Sequence, residues 1–298
     1  MTKSLKNIFF PAYKSVAVVS PAGLPDAEKY QKNIELLRAA GVHVREYVAA
    51  RSGNTPSYLA ANAPERLEAL NSAINDQDVE LIICSRGGFG SVHLLENIDY
   101  TTLQKRDLPI MGYSDITALH CAMLAKNAGT AIAGCNLTAL DKLLQDDLTY
   151  TSHRRVLSKQ LSGNAFEQKV KSIFPGSIPK KISAQAYAAN LTVAASLCGT
   201  DYLPDFKNMI LILEDINEPL YKIDRMLTQL AMNHVFDRIA ALGCGGFSGC
   251  TENFQEILEL FERFAKKFDV PTFYGFQFGH TFPMQAVNSR QLLTLCSD

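Results

Sequence analysis

Short apolar runs alternate with amphipathic stretches through the first half of the chain. The runs with strand character are 16–19, 42–47, 81–84 and 110–113. The stretches with apolar residues at helical spacing are 26–40, 64–74 and 115–128. Strands that alternate with helices predict a parallel sheet covered by helices on both faces, which binds ligands beyond the carboxyl ends of its strands.

The second half follows a less regular pattern. Residues 146–180 are rich in charge and have weak periodicity, which predicts a connector with some helix. Beyond it, strands are predicted at 209–213 and 239–242, helices at 220–233 and 253–268, and short strands toward residue 296. The pattern therefore predicts an N-terminal α/β domain over 1–145, a connector over 146–180 and a C-terminal domain over 181–298.

Charge and hydropathy narrow the possible partners. The 298 residues carry a formal net charge of -1, so no clustered basic excess predicts a nucleic-acid surface. No apolar run reaches the roughly 20 residues that span a bilayer. Pro11, Tyr13 and Lys14 interrupt the apolar stretch that a signal peptide would need. We therefore expect a cytoplasmic protein with no nucleic-acid or membrane partner.

The seven cysteines are scattered, with no paired short spacing. An odd number without such pairs argues against a disulfide framework and against a zinc knuckle. Motifs with metal-ligand spacing, such as HExxH and CxxC, are also missing from the sequence. The sequence thus predicts a protein that works in a reducing compartment without a metal or other cofactor.

A glycine-rich loop, SRGGFG from Ser85 to Gly90, follows the third predicted strand. Glycines allow the backbone N–H groups of such a loop to approach a ligand closely. One interpretation is an ordinary strand-to-helix turn. A second is a phosphate cradle, although the fingerprints GxGxxG and GxxxxGK[ST] are absent. The third is an oxyanion hole, which requires a nucleophile beside the loop.

Ser114 is the candidate nucleophile. It lies in GYSD, where the fourth predicted strand turns into a helix, and this is the geometry of a nucleophile elbow. Ile116 occupies the second glycine position of GxSxG, and helix capping is the alternative role for the serine. In an elbow, the N–H of Asp115 can join an N–H of Gly87 or Gly88 in binding an oxyanion.

A serine hydroxyl needs a base, and the base needs an orienting carboxylate. Among the six histidines, His280 is the best candidate because it lies in the glycine-bearing segment GFQFGH, while His93 beside the glycine loop stays open. For the carboxylate, an apolar strand ends at Glu214 and Asp215, and Glu218 follows. The residues alone do not choose among these three, although strand alternation predicts that Asp215 points away from the side of Glu214.

Four segments occur together in the order and at roughly the distances seen in one family: SRGGFG, GYSD, LILEDINEPLYKIDRMLTQL and GFQFGH. With VAVVSPAG near the start, nearly the whole chain resembles the LD-carboxypeptidases of the S66 serine-peptidase type. The resemblance implies an amidotransferase-like (flavodoxin-like) α/β N-terminal domain and a smaller, mostly β C-terminal domain. It also implies Ser114 as the nucleophile, Glu214 as the acid and His280 as the base.

The same resemblance implies an oxyanion hole formed by the amides of Gly87, Gly88 and Asp115. Family members are often homodimers that act in the cytoplasm on recycled murein peptides. The expected reaction therefore hydrolyses an L,D amide bond and releases a terminal D-amino acid from a murein tetrapeptide. Arg86 is the nearest cation for the terminal carboxylate of such a peptide, with a structural ion pair as its alternative role.

Three departures from the family pattern bear on the substrate. Residues 188–190 read AAN where GGN is common, residues 134–136 read GCN where GPM is common, and Phe89 replaces the usual tyrosine. None of them touches the triad, but the first two lie in segments that can shape a pocket. Two alternatives stay open: a microcin-immunity-like hydrolase of a peptidyl-aminoacyl nucleotide antibiotic, and a non-catalytic binding protein of the same fold.

Overall fold

The computed structural model describes residues 3–158, 166–177 and 179–297. Within these residues the first sheet has six strands, which in spatial order are β11 (Val287–Asn288), β5 (Thr130–Ala133), β4 (Pro109–Gly112), β3 (Leu81–Cys84), β1 (Ser15–Val19) and β2 (His43–Tyr47). The strands β1 to β5 are parallel, and β11 pairs antiparallel with β5. The order 2-1-3-4-5 is that of flavodoxin-like sheets.

Helices pack on this sheet, and its inner strands are apolar for that reason. Every residue of β3 and β5 is buried, as expected for parallel strands with both faces covered. The α-helices of this part are α1 (Leu5–Phe9), α2 (Ala27–Ala39), α3 (Ala63–Asn75), α4 (Tyr100–Arg106), α5 (Ile116–Ala125) and α6 (Asp147–Val156). Short 3₁₀ helices lie at Ser91–Asn97 and Leu137–Leu144.

The C-terminal part contains a closed barrel. Its strands in the described residues, in order around the barrel, are β10 (Thr272–Tyr274), β6 (Phe166–Ser172), β12 (Leu292–Ser297), β7 (Lys181–Asn190), β8 (Ile210–Ile216) and β9 (Ala241–Ser248). The helices α7 (Leu191–Ser196), α8 (Leu220–Met232) and α9 (Phe254–Phe268) belong to the same part. The predicted fold class, a parallel-sheet α/β domain joined to a smaller C-terminal domain, is confirmed.

The segment predicted as a connector, 146–180, contains two regular elements. Helix α6 packs against α1 and against the 3₁₀ helix Leu137–Leu144 of the first part. Strand β6 pairs instead with β10 and β12 of the barrel. The segment is therefore divided between the two parts rather than being a linker throughout. No helix in the described ranges is long and apolar enough to cross a bilayer.

The two parts meet along α5, which follows β4, and the end of β7. The N–H of Asn190 donates to Thr117 Oγ1 on α5 at 3.0 Å, and His120 Nδ1 lies 3.1 Å from the Tyr187 hydroxyl. Both contacts are buried. They hold the carboxyl end of β4 beside the carboxyl end of β7. Strand β8 pairs in parallel with β7, so its carboxyl end lies at the same place.

Candidate active site

Ser114 lies in the turn between β4 and α5. Its φ of 66° is in the left-handed region, which costs a non-glycine residue about 1–2 kcal/mol. Asn136 supports the turn, because its Oδ1 accepts the N–H of Tyr113 at 3.2 Å. Only glycine fits at position 112, where a Cβ would lie 2.8 Å from the same Oδ1. The serine is thus held in the strained turn that is typical of a nucleophile elbow.

The glycine loop after β3 lies directly against this serine. A Cβ at Gly87 would lie 2.8 Å from the Cβ of Ser114 and 2.9 Å from its Oγ, so a side chain does not fit between them. The Gly87 carbonyl accepts the N–H of Gly23 at 3.1 Å. Because a trans peptide is planar, the N–H of Gly88 points in the opposite direction, away from Gly23. An ordinary strand-to-helix turn does not require so close an approach to a hydroxyl group.

Asp115 is buried at the start of α5. Its carboxylate accepts the N–H of Ser91 at 2.9 Å, and its carbonyl accepts the Ser91 hydroxyl at 2.6 Å. These two bonds tie the start of α5 to the residue that follows the glycine loop. The backbone N–H of Asp115 lies at the helix N-terminus, where the helix dipole favours negative charge.

His280 connects the serine to a buried carboxylate. Its Nε2 lies 3.0 Å from Ser114 Oγ, and its Nδ1 lies 2.8 Å from Glu214 Oε2. Because a carboxylate oxygen can only accept a hydrogen bond, Nδ1 is the protonated nitrogen of the ring, and its N–H donates a hydrogen bond to Oε2. The lone pair of Nε2 is then directed at the serine hydroxyl. The histidine and the serine are 166 positions apart in the sequence, so only the fold brings them together.

Glu214 is fully buried at the carboxyl end of β8. Burial and the charge of Asp215 raise the pKa of its carboxyl group, whereas the hydrogen bond and charge of His280 and the Asn190 amide lower it. The net pKa is raised, with burial as the largest cause. Gly279 makes room for the carboxylate, because a Cβ there would lie 3.2 Å from Oε2. A buried carboxylate requires such partners to remain ionised.

Opposing effects act on His280, whose side chain is 16% exposed. Burial lowers its pKa, but the hydrogen bond and charge of Glu214, with the charge of Asp215, outweigh burial, so that the net pKa is raised. The arrangement therefore stabilises the imidazolium that forms when the ring accepts a proton.

Asp215 makes a different set of contacts. Its Oδ2 accepts the N–H and the hydroxyl of Thr192 at 2.9 and 2.8 Å, which fixes the start of α7. The predicted alternation does not separate Asp215 from Glu214 completely, since both carboxylates accept hydrogen bonds from the Asn190 amide. The pairing of β8 with β9 shifts register between Leu213 and Asp215. Glu218, the third candidate acid, pairs with Lys222 at 3.2 Å beyond the strand.

Asn190 is a site residue that the sequence argument missed. Its side-chain amide donates to Glu214 Oε1 and to Asp215 Oδ1, both at 3.1 Å. Its Oδ1 caps α7 by accepting the N–H of Val193 at 3.0 Å. The available signal was the segment AAN, in which the asparagine of the family segment GGN is retained.

The remaining histidines lie elsewhere. His93, which the sequence left open, has its Nδ1 3.3 Å from Arg66 Nη2. His120 and His153 are fully buried, and burial lowers the pKa of each to about 4, so both are neutral near pH 7. His43 and His234 are exposed.

Arg86 lies on the exposed side of the glycine loop. Its Nη1 donates to the carbonyl of Leu24 at 2.8 Å. It lines a cleft of about 620 Å³ that also includes Tyr113, next to the nucleophile. The other charged residues of the lining are of both signs: Lys29, Lys32, Lys142, Asp26, Glu28 and Asp141. The arginine is therefore one of several charged side chains around this cleft.

The LD-carboxypeptidase N-terminal domain family matches residues 16–134, and the LD-carboxypeptidase C-terminal domain family matches residues 183–295. Together the two matches span most of the chain.

Individual relatives agree with this result. The probable murein peptide carboxypeptidase of Bacillus subtilis is 29% identical over 297 residues, covering 95% of this chain and 91% of the relative. The microcin C7 self-immunity protein MccF of Escherichia coli is 25% identical over 293 residues, covering 89% of this chain and 84% of the relative. The crystal structure of muramoyltetrapeptide carboxypeptidase from Oxalobacter formigenes superposes with a TM-score of 0.78 at 25% identity, covering 95% of each chain.

Proposed function

The chain belongs to the LD-carboxypeptidase family, and we propose that it is a serine-type peptidase that releases the terminal D-amino acid from a murein tetrapeptide. The observation that carries the proposal is the hydrogen-bonded series from Ser114 through His280 to Glu214, beside a glycine loop. A protein that only bound peptides would not need a strained serine, an oriented imidazole and a buried carboxylate in contact.

In the proposed reaction Ser114 Oγ attacks the carbonyl carbon of the L,D amide, and His280 Nε2 accepts the hydroxyl proton. The carbonyl oxygen becomes an oxyanion, which the amides of Gly87, Gly88 and Asp115 stabilise by hydrogen bonding. His280 then gives its proton to the leaving nitrogen, and the D-amino acid departs. Glu214 holds the imidazole in the required tautomer throughout.

The second half of the reaction repeats the proton transfers in reverse. A water molecule attacks the ester that links the peptide to Ser114, while His280 accepts a proton from the water. Collapse of the second tetrahedral intermediate returns that proton to Ser114 Oγ and frees the shortened peptide. Apart from the peptide and this water molecule, no co-reactant is needed to balance either half.

Arg86 is the proposed partner of the terminal carboxylate. A guanidinium group can bind a carboxylate with two parallel hydrogen bonds, and Tyr113, next to the nucleophile in the sequence, lines the same cleft as Arg86. We expect Arg86→Ala to raise KM more than it lowers kcat, because the carboxylate is bound in the ground state and the transition state alike.

Hydrolysis of a peptidyl-aminoacyl nucleotide is the second candidate function. It is favoured by the similarity to the Escherichia coli microcin C7 self-immunity protein, which extends over 89% of this chain. The same triad would serve both reactions, so the two functions differ in which substrate the cleft binds.

Mass spectrometry after incubation with each purified substrate tests these proposals. We expect the wild-type protein to convert the tetrapeptide to tripeptide and free D-amino acid, and Ser114→Ala to leave it intact. Cleavage of the nucleotide conjugate alone would select the second candidate. A protein that cleaves neither substrate and is not labelled at Ser114 by a serine-directed phosphonate would be a binding protein.

We further propose that the protein acts as a homodimer in the cytoplasm, as the family resemblance implies. Light scattering of the purified protein tests the first point, and cell fractionation tests the second. A monomer at micromolar concentration or a signal outside the cytoplasmic fraction would contradict the respective point.

A further inference from the structure

Arg66 is among the largest fully buried side chains of the protein, with 1% exposure. It lies in the first turn of α3, and its guanidinium donates to backbone carbonyls from three separate segments. Nε donates to Ala61 at 2.9 Å, while Nη1 donates to Pro21 and, at 2.8 Å, to Gly90. Burying a guanidinium is costly unless its donors are satisfied, so these bonds hold the three segments together.

Two of the three segments shape the glycine loop. Pro21 belongs to the turn after β1, and in the same turn Gly23 donates its N–H to the Gly87 carbonyl at 3.1 Å. Gly90 ends the loop with a φ of 116°, and a Cβ there would lie 3.2 Å from Arg66 Nη1. The guanidinium therefore holds both the end of the loop and the turn that supports its centre.

The arginine is also coupled to the start of α5. Asp115 accepts the N–H of Ser91, the residue after Gly90, and it is itself buried. Burial lowers the pKa of Arg66, and the charges of Asp115 and Glu65 oppose this effect. The buried guanidinium of Arg66 thus binds Gly90 at the end of the glycine loop, and the buried carboxylate of Asp115 binds the next residue, Ser91.

We propose that Arg66 is a positioning residue for the oxyanion hole, which holds the glycine loop in the conformation that stabilises the transition state. The inference rests on the proposed serine-peptidase function. Arg66 acts through the loop and not on the substrate. Its loss is expected to affect the transition state more than substrate binding, because the oxyanion exists only after attack on the carbonyl.

The chain offers a matched control in Arg106. This arginine also donates to three backbone carbonyls, those of Ile74, Asp76 and Val79, which precede β3. These contacts lie at the amino end of β3, whereas the glycine loop follows its carboxyl end. Arg106→Met therefore removes a carbonyl-binding arginine from the same domain without touching the loop.

The experiment compares kcat, KM and melting temperature for the wild type, Arg66→Met, Arg66→Lys and Arg106→Met. Removal of one oxyanion donor typically lowers kcat by about 10²–10³-fold. We expect Arg66→Met to lose about 10²-fold in kcat with KM changed by less than about threefold. We expect Arg66→Lys to recover part of that loss, since it keeps a donor and the charge. Arg106→Met should lower the melting temperature and leave kcat near the wild-type value.

Phosphonylation of Ser114 by a small fluorophosphonate separates this proposal from the substrate assignment, because it needs the nucleophile and the loop but no peptide. A wild type that is labelled yet cleaves no murein peptide would remove the substrate proposal, and slower labelling of Arg66→Met would still support the role of Arg66. A wild type that is not labelled would remove both proposals.

A folded Arg66→Met with wild-type kcat and labelling rate would overturn the role of Arg66. The same conclusion would follow if its losses matched those of Arg106→Met. If Arg66→Met does not fold, Arg66→Lys decides: wild-type kcat and labelling rate in that folded variant would overturn the proposal, and a selective loss of both would support it.

Discussion

Ser114 combines a reactive position with a strained backbone, so its effects on activity and on stability can be separated. We expect both Ser114→Ala and Ser114→Gly to lose turnover, because the base then has no hydroxyl to activate. Glycine adopts a φ of 66° without steric cost, so Ser114→Gly should be more stable than Ser114→Ala by about 1 kcal/mol. Urea unfolding of the two variants measures this difference. Equal stabilities of the two variants would contradict backbone strain at position 114. Retained turnover in either variant would contradict the role of Ser114 as nucleophile.

The two adjacent acids are expected to respond differently to replacement by their amides. Glu214→Gln should lower kcat by up to about 10⁴-fold, because an amide can donate to the imidazole and stabilise the wrong tautomer. Asp215→Asn should lower the melting temperature instead, since its carboxylate holds the N–H and hydroxyl of Thr192 at the start of α7. Glu218→Gln, outside the strand, is the matched control and should change little. If Asp215→Asn had a severely reduced kcat and Glu214→Gln a nearly normal one, Asp215 and not Glu214 would be the acid of the triad.

The pH dependence of kcat/KM follows from the pKa of His280. The base must be neutral to accept the serine proton, so activity rises as the pH increases through that pKa. Burial lowers the pKa, but the hydrogen bond and charge of Glu214 outweigh it, so the acid limb should lie above the ordinary histidine value of about 6.5. In Glu214→Gln that charge is gone while burial remains, and the limb should move to lower pH. If the acid limb of Glu214→Gln lay at the same pH as that of the wild type, the limb would reflect the titration of a group other than His280.

At the scale of the element, the glycine loop depends on its close approach to Ser114. Gly87→Ala should lower kcat by about 10²-fold or more, because the new Cβ would lie 2.8 Å from the serine Cβ and force the loop or the nucleophile away. Gly53→Ala is the control, since its Cβ would meet nothing within 4 Å. Measuring kcat for both variants tests this prediction. Similar rates for the two would show that the loop does not need this contact.

The regular elements differ in how well local sequence predicts them. Helices α8 and α9 and strand β3 lie within one residue of their predicted bounds, because the helices have continuous periodicity and the strand is an unbroken apolar run. The pattern did not predict β5, β7 or α7. Strand β7 reads KISAQAYAAN, whose alanines have little preference for a strand. Helix α7 has six residues, and its start is held by the local cap Asn190 and by Asp215, 23 positions away from Thr192. A local pattern does not contain the second of these contacts.

At the scale of the whole molecule, the proposed chemistry needs no metal. Among the described residues, no group of three or more histidine, cysteine, aspartate or glutamate side chains is arranged to hold an ion. We expect kcat and KM to be unchanged after dialysis against EDTA, in parallel with an untreated sample. Loss of activity that zinc restores would contradict this expectation.

The sequence by itself predicted a parallel-sheet α/β first half, a nucleophile candidate in Ser114 and a preferred base in His280, with His93 left open. Hydrophobic periodicity reports which face of each element is buried. A serine between a short strand and a helix fits a nucleophile elbow, with helix capping as the alternative. From the residues alone the acid stayed open among Glu214, Asp215 and Glu218, and the resemblance to the LD-carboxypeptidases implied Glu214. Local pattern cannot rank three neighbouring carboxylates, because it contains no information on what each one faces.

Only the tertiary structure decided which groups meet. The amide of Asn190 donates to both Glu214 and Asp215, yet of these two acids only Glu214 is hydrogen-bonded to His280, at 2.8 Å. The buried guanidinium of Arg66 joins segments that are 45 and 24 positions away. Such contacts depend on how distant strands end beside one another. Their free energy comes from burial and hydrogen bonding that no single segment of the sequence contains.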